Sequence, residues 1–145
     1  MSGPRVLPVG VLVAAALAAS GCGAAKTSDA AGGFQGEAKG VATTLDDLQR
    51  LGRSQDEDAI CVKLLATQLV DQIKRASATS CPTAVSDVLK DVDAFALKPD
   101  GKDAISVSGA TATARVVSGT GKNKRKAQLQ LVKQGGRWKL STLGA

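Results

Sequence analysis

Histidine and tyrosine are absent from this chain, and its aromatic residues amount to Phe34, Phe95 and Trp138. Without histidine, any acid–base chemistry falls to Asp, Glu, Lys or Arg. A tetrahedral zinc site, which needs about four ligands, lacks its usual imidazoles. With so few aromatics there is no platform on which bases would stack, so no nucleic-acid partner is expected. The hydrophobic core has to be aliphatic. Acidic residues are also absent beyond Asp103: residues 104–145 carry 8 basic side chains and no acidic one. The apolar run Val6–Ala19 has 14 residues, short of the roughly 20 that a membrane-spanning helix needs. No internal repeat is visible, and no residue set names a reaction.

What is present at the start reads as an export signal. Arg5 is the only charge before Lys26, and it precedes the apolar stretch "VLPVGVLVAAALAA". Small residues follow, Ala19-Ser20-Gly21, then Cys22 and a polar segment. This order resembles the lipobox of bacterial lipoproteins, although Ala19 stands where leucine is commoner in the family. The resemblance implies lipid on the Cys22 thiol and cleavage ahead of it, leaving 124 residues held at the extracytoplasmic face of the cell membrane. A single acyl chain holds only marginally, whereas two or three palmitate-type chains on one residue hold stably. The alternatives are a leader cleaved ahead of an ordinary cysteine, or an uncleaved anchor.

The chain divides into a signal segment (1–21), the lipidated cysteine with a flexible tether (22–40) and one domain (41–145). The tether assignment rests on "GAAKTSDAAGGFQGEAKG", which is rich in Gly and Ala and poor in branched apolar residues. Phe34 within it either docks weakly on the domain or has no role, and no role is the expectation. Two further cysteines, Cys61 and Cys81, lie 20 residues apart. In an exported chain such a pair predicts a disulfide. The spacing is far from a CxxC redox motif, and no histidine completes a metal site.

Val41, Leu45, Leu48 and Leu51 recur at helical spacing, with Gly52 as a stop. Ser54 and Glu57 have the form of a capping box opening a second helix through Ile60, Leu64, Leu69 and Ile73, with a break or kink near Ala66-Thr67. A third helix starts around Cys81-Pro82, with Val85, Val88, Leu89 and Val92 as its buried face. From Asp103 the period changes to two. The strands "AISVS", "ATATARVV", "AQLQLVK" and "WKLSTL" are separated by Ser108-Gly109, by the loop "SGTGKNKRK" and by a Gly-rich turn. Trp138, Leu140 and Thr142 are expected on one face. The fold class is α+β, with three helices packed on one face of a curved four-stranded antiparallel sheet.

In "AICVKLL", "SCPTAVSDVL" and "LQLVKQGGRWKLSTL" the chain resembles small lipoproteins of high-GC Gram-positive bacteria with a nuclear transport factor 2-like, or cystatin-like, cone. That resemblance implies a pocket between helices and concave sheet, which some relatives use for isomerase or dehydratase chemistry. They do so with Tyr, His and carboxylates, and this chain offers no Tyr or His, so catalysis does not carry over. A non-enzymatic binding or accessory module is expected, with no cofactor and no metal. An enzyme acting on an apolar envelope metabolite, and a purely structural spacer, are its rivals.

Two other features bear on partners. Gly121-Lys122 suggests a phosphate-binding loop, but Val116 and Asn123 stand where glycine and Ser or Thr are required, and a strand follows instead of a helix. Residues 22–103 carry 10 basic and 13 acidic side chains, a net of −3, so positive charge collects in the sheet half. Its densest cluster is Lys122, Lys124, Arg125 and Lys126. This is a candidate surface for anionic lipid or an envelope protein, weighed against lysines that only keep a sheet edge soluble.

Overall fold

The computed structural model describes residues 30–90, 97–119 and 121–142. Cys22, Phe95 and Val92 lie outside the described residues. The class is α+β, with four helices and a five-stranded antiparallel sheet, one more of each than the periodicity predicts.

Helix α1 spans Gly36–Ser54. Its apolar positions Val41, Leu45, Leu48 and Leu51 all face the core and are buried. It opens five residues before Val41, and a 3-10 turn at Ala31–Gly33 packs against it. The Asp46 carboxylate fixes that turn by accepting from the Ala30 and Ala31 amides, each at 3.0 Å. Gly52 does not stop the helix. Termination comes at Gln55, which takes a left-handed conformation (φ 53°) while the Asp56 amide reaches back to the Leu51 carbonyl at 3.1 Å.

Ser54 does not cap the next helix, because it is the last residue of α1 and its hydroxyl donates to the Leu51 carbonyl. Asp56 caps instead, accepting from the Ala59 amide at 3.0 Å. Helix α2, Glu57–Ala59, continues as a π-turn over Ile60–Leu64. The break expected near Ala66 is there: Leu65 and Ala66 are extended, and α3 starts afresh at Thr67 and runs to Ser77. This break is why four helices replace three. Helix α4, Cys81–Leu89, has Ser80 as its cap and proline at the start, where the missing amide costs nothing. Val85 and Leu89 are buried, but Val88, assigned by periodicity to the core, is 51% exposed.

The sheet contains β1 (Lys98–Pro99), β2 (Ile105–Ser108), β3 (Thr111–Ser118), β4 (Arg125–Gln134) and β5 (Arg137–Thr142). Strand β3 pairs with β4 along its length on one side. On its other side it pairs with β2 through Thr111–Ala114 and with β1 through Val116–Val117. The two short strands therefore share one lane, interrupted by an excursion over residues 100–104 opposite Arg115. The Arg115 backbone closes both ends of that gap, accepting from the Asp100 amide at 2.9 Å and donating to the Ala104 carbonyl at 2.8 Å. Two residues suffice for the β2–β3 turn, Gly109-Ala110, one position later than the sequence suggested. The β4–β5 turn needs positive φ twice and has Gly135 (58°) and Gly136 (76°) there.

Alternation puts Ala112, Ala114, Val116, Leu129, Leu131, Trp138 and Leu140 on the helix-covered face. A register shift between Gln130 and Leu131 then sets Thr142 opposite Gln130 and Leu140 opposite Leu131. Thr142 accordingly falls on the exposed side with Gln130, not beside Trp138 and Leu140, because an inserted residue inverts the period of two. One core, aliphatic apart from Trp138, joins helices and sheet, and its most enclosed side chains include Leu45, Ile60, Leu65, Leu131 and Leu140.

Candidate functional site

Between the helices and the sheet lies a cavity of about 250 Å³. Leu48 of α1, Ile60 of the π-turn, Ile73 of α3 and Val85 of α4 form its helical wall. Leu129 and Leu140 form the sheet wall, and Leu97, Ala127 and the half-exposed Val88 also line it. Every lining residue among the described residues has a hydrocarbon side chain, so the described walls place no side-chain hydrogen bond and no charge against a guest.

The bond between Cys61 and Cys81 is formed, with Cα atoms 6.2 Å apart. It joins the π-turn to the first residue of α4 and so fixes two of the elements that wall the cavity. Both cysteines are buried.

A second cluster surrounds Trp138. Its indole N–H donates to Glu37 Oε2 at 2.8 Å, and Lys133 Nζ donates to Glu37 Oε1 at 2.6 Å. The Lys133 ammonium lies 5.8 Å from the ring centroid. These contacts, the Lys133 bond above all and then the indole bond, hold the Glu37 carboxyl below the usual carboxylate range. The buried Thr44 hydroxyl lies 3.0 Å from the Trp138 carbonyl, giving that oxygen a donor. A Cβ on Gly40 would sit 2.9 Å from Trp138 Cδ1, so glycine there lets α1 approach the ring. The cluster joins the first turn of α1 to the last strand and is structural in character.

The basic residues singled out from sequence gather at the β3–β4 connection. Lys122 lies in a 3-10 turn at Gly121–Asn123, Lys124 follows it, and Arg125 and Lys126 open β4. All four are exposed. They are not equivalent, since Lys126 Nζ pairs with the Asp100 carboxylate at 2.9 Å. The partner comes from the excursion between β1 and β2, 26 residues away.

Among the described residues, no three His, Cys, Asp or Glu side chains lie close enough to hold a metal ion, and no helix is long and apolar enough to cross a membrane. No protein-family model, no curated protein and no solved structure matches this chain. Sequence periodicity identified the walls of the cavity but not the space between them. The only hints of the Trp138 cluster were Glu37 and Gly40 one helical turn apart, and an indole N–H that needs an acceptor when buried.

Proposed function

We propose that this chain is a lipid-anchored protein of the cell envelope whose single domain binds an apolar guest without reacting on it. The observation that carries the reading is the hydrocarbon-lined cavity of about 250 Å³. An engineered cavity of roughly 150 Å³ is enough to take up benzene, so this one suits a larger group such as part of an acyl or prenyl chain. Helices and sheet enclosing a cavity support the cone-like arrangement that the resemblance implies. The lipobox-like order of residues ending at Cys22 supports the anchor.

An enzyme would need an acid or base within reach of its substrate, and among the described residues none lines the cavity. A plain spacer would have no use for an open interior. Both considerations favour the binding module.

Binding is tested by titrating the purified chain with the apolar fluorophore N-phenyl-1-naphthylamine. Ala84 of α4 also lines the cavity, and Ala84→Phe, which adds a ring there, is expected to weaken uptake about tenfold. Val88→Ser at the rim is expected to weaken it less, and Val62→Ser, on the exposed surface elsewhere, not at all. No uptake by the native chain, or equal uptake by all variants, overturns the reading. The anchor is tested separately by intact mass. The chain taken from membranes is expected to start at Cys22 with acyl chains attached, and Cys22→Ser to lose both the added mass and membrane retention. An unmodified mass for the native chain sinks the anchor.

A further inference from the structure

Residues 97–126 carry seven basic side chains and two acidic ones, Asp100 and Asp103. Lys126 engages Asp100 at 2.9 Å, and the Arg115 guanidinium donates to the Asp103 carbonyl at 2.8 Å. Lys98, Lys102, Lys122, Lys124 and Arg125 remain exposed, and no ion pair among the described residues involves them. They are concentrated at one end of one sheet edge. Lys98 pairs with Val117, the next position, Ser118, pairs with Arg125, and the Lys122 turn connects those two strands. The Lys126–Asp100 pair ties the start of β4 to the excursion that carries Lys102.

The chain's N-terminal side arrives at the same edge. Ala30, Gly33 and Phe34 share a shallow depression with Lys98, Pro99, Gly101 and Lys102. Phe34, for which docking on the domain is the less expected reading of the sequence, is half-buried there, and the Asp46 carboxylate holds the Ala30 and Ala31 amides in place. Cys22 precedes Ala30 by eight residues, a reach of at most about 28 Å when fully extended. A lipid on Cys22 thus keeps the domain within reach of the bilayer, and the uneven charge of its surface then selects which edge meets the lipid.

We infer that the edge formed by Lys98, Lys102, Lys122, Lys124 and Arg125 seats on the anionic surface of the membrane, giving the tethered domain a fixed orientation. The tether in this inference rests on the lipid-anchor reading, while the charge pattern stands without it. Attraction between lysines and anionic headgroups decays within a Debye length of about 8 Å, so a tether of this length is what brings the charges into range.

Lysine acetylation footprinting tests this on the full chain purified from membranes, with phosphatidylcholine vesicles containing or lacking about a third phosphatidylglycerol. On anionic vesicles Lys98, Lys102, Lys122 and Lys124 are expected to react about threefold more slowly than Lys63 and Lys74. The difference is expected to vanish on neutral vesicles and at about 1 M salt. The triple variant Lys122→Glu, Lys124→Glu, Arg125→Glu is expected to lose the protection of Lys98 and Lys102. A lipidated chain whose lysines all react alike on both vesicles overturns the membrane-facing edge. A chain without lipid, by intact mass, that still shows salt-sensitive protection removes the anchor and leaves the edge standing.

Discussion

Leu140→Ala is expected to lower the unfolding free energy by about 3–5 kcal/mol, read as a shift of the urea midpoint at unchanged slope. Leu140 has no accessible surface and lies on the sheet wall of the cavity. Removing three carbons there loses their burial and also joins a new void to one already present. The surroundings have little freedom to close the gap. The Leu140 carbonyl accepts from the Ala66 amide at 2.8 Å, and its strand is paired with β4 through Leu131. Helix α4 cannot slide inward, because its first residue is bonded to the π-turn. Val62→Ala, at an exposed position, is the control and is expected to stay within about 0.5 kcal/mol. A loss below about 1 kcal/mol for Leu140→Ala would mean that this wall collapses freely.

Replacing Cys61 and Cys81 together by alanine is expected to cost about 3 kcal/mol, the chain-entropy contribution of a loop of this length. For a domain of this size the melting temperature then falls by roughly 15 °C. Reduction of the native chain is expected to give a similar drop. The effect should be uneven along the chain. The loop closed by the bond contains all of α3, whose exposed Lys74 and Arg75 leave only Leu69 fully buried on that helix. Hydrogen exchange is therefore expected to accelerate first in α3 and α4, with β3 and β4 least affected. Equal melting of oxidised and reduced chains would show that packing alone holds α4 in place.

Much of this architecture was legible in the sequence because local pattern decides it. The period of Val41, Leu45, Leu48 and Leu51 needs no knowledge of what the helix packs against. Pro82 at the start of α4 and the paired glycines at 135–136 act through backbone geometry alone. The failures occur where a distant partner intervenes. Lys98–Pro99 is too short to carry an alternating pattern, and it is a strand only because Val116–Val117 lie beside it. Thr142 changes face because of an inserted residue that its own side chain does not announce. Asp56 prevails over Ser54 as a cap because α1 runs on to Ser54 and uses that hydroxyl for its own last turn. The candidate sites divide in the same way. The cysteine pair and the run from Lys122 to Lys126 are visible as letters. That Lys126 is neutralised by Asp100 while Lys98 and Lys102 join the cluster depends on strand neighbours.

The interruption between α2 and α3 has a further consequence, for self-association. An open sheet has two lateral edges whose unpaired amides and carbonyls invite a second chain to add a strand. Here extended Leu65 forms a parallel bridge to Leu140, and the Ala66 amide occupies a carbonyl on the free side of β5. The same two residues that break the helix thus cap that flank of the sheet. The opposite flank is blunted differently: Pro99 has no amide to donate, the excursion over 100–104 interrupts the lane, and Lys98 puts like charge against any copy approaching in register. Among the described residues neither flank presents a long uninterrupted ladder, which works against strand addition from a second copy.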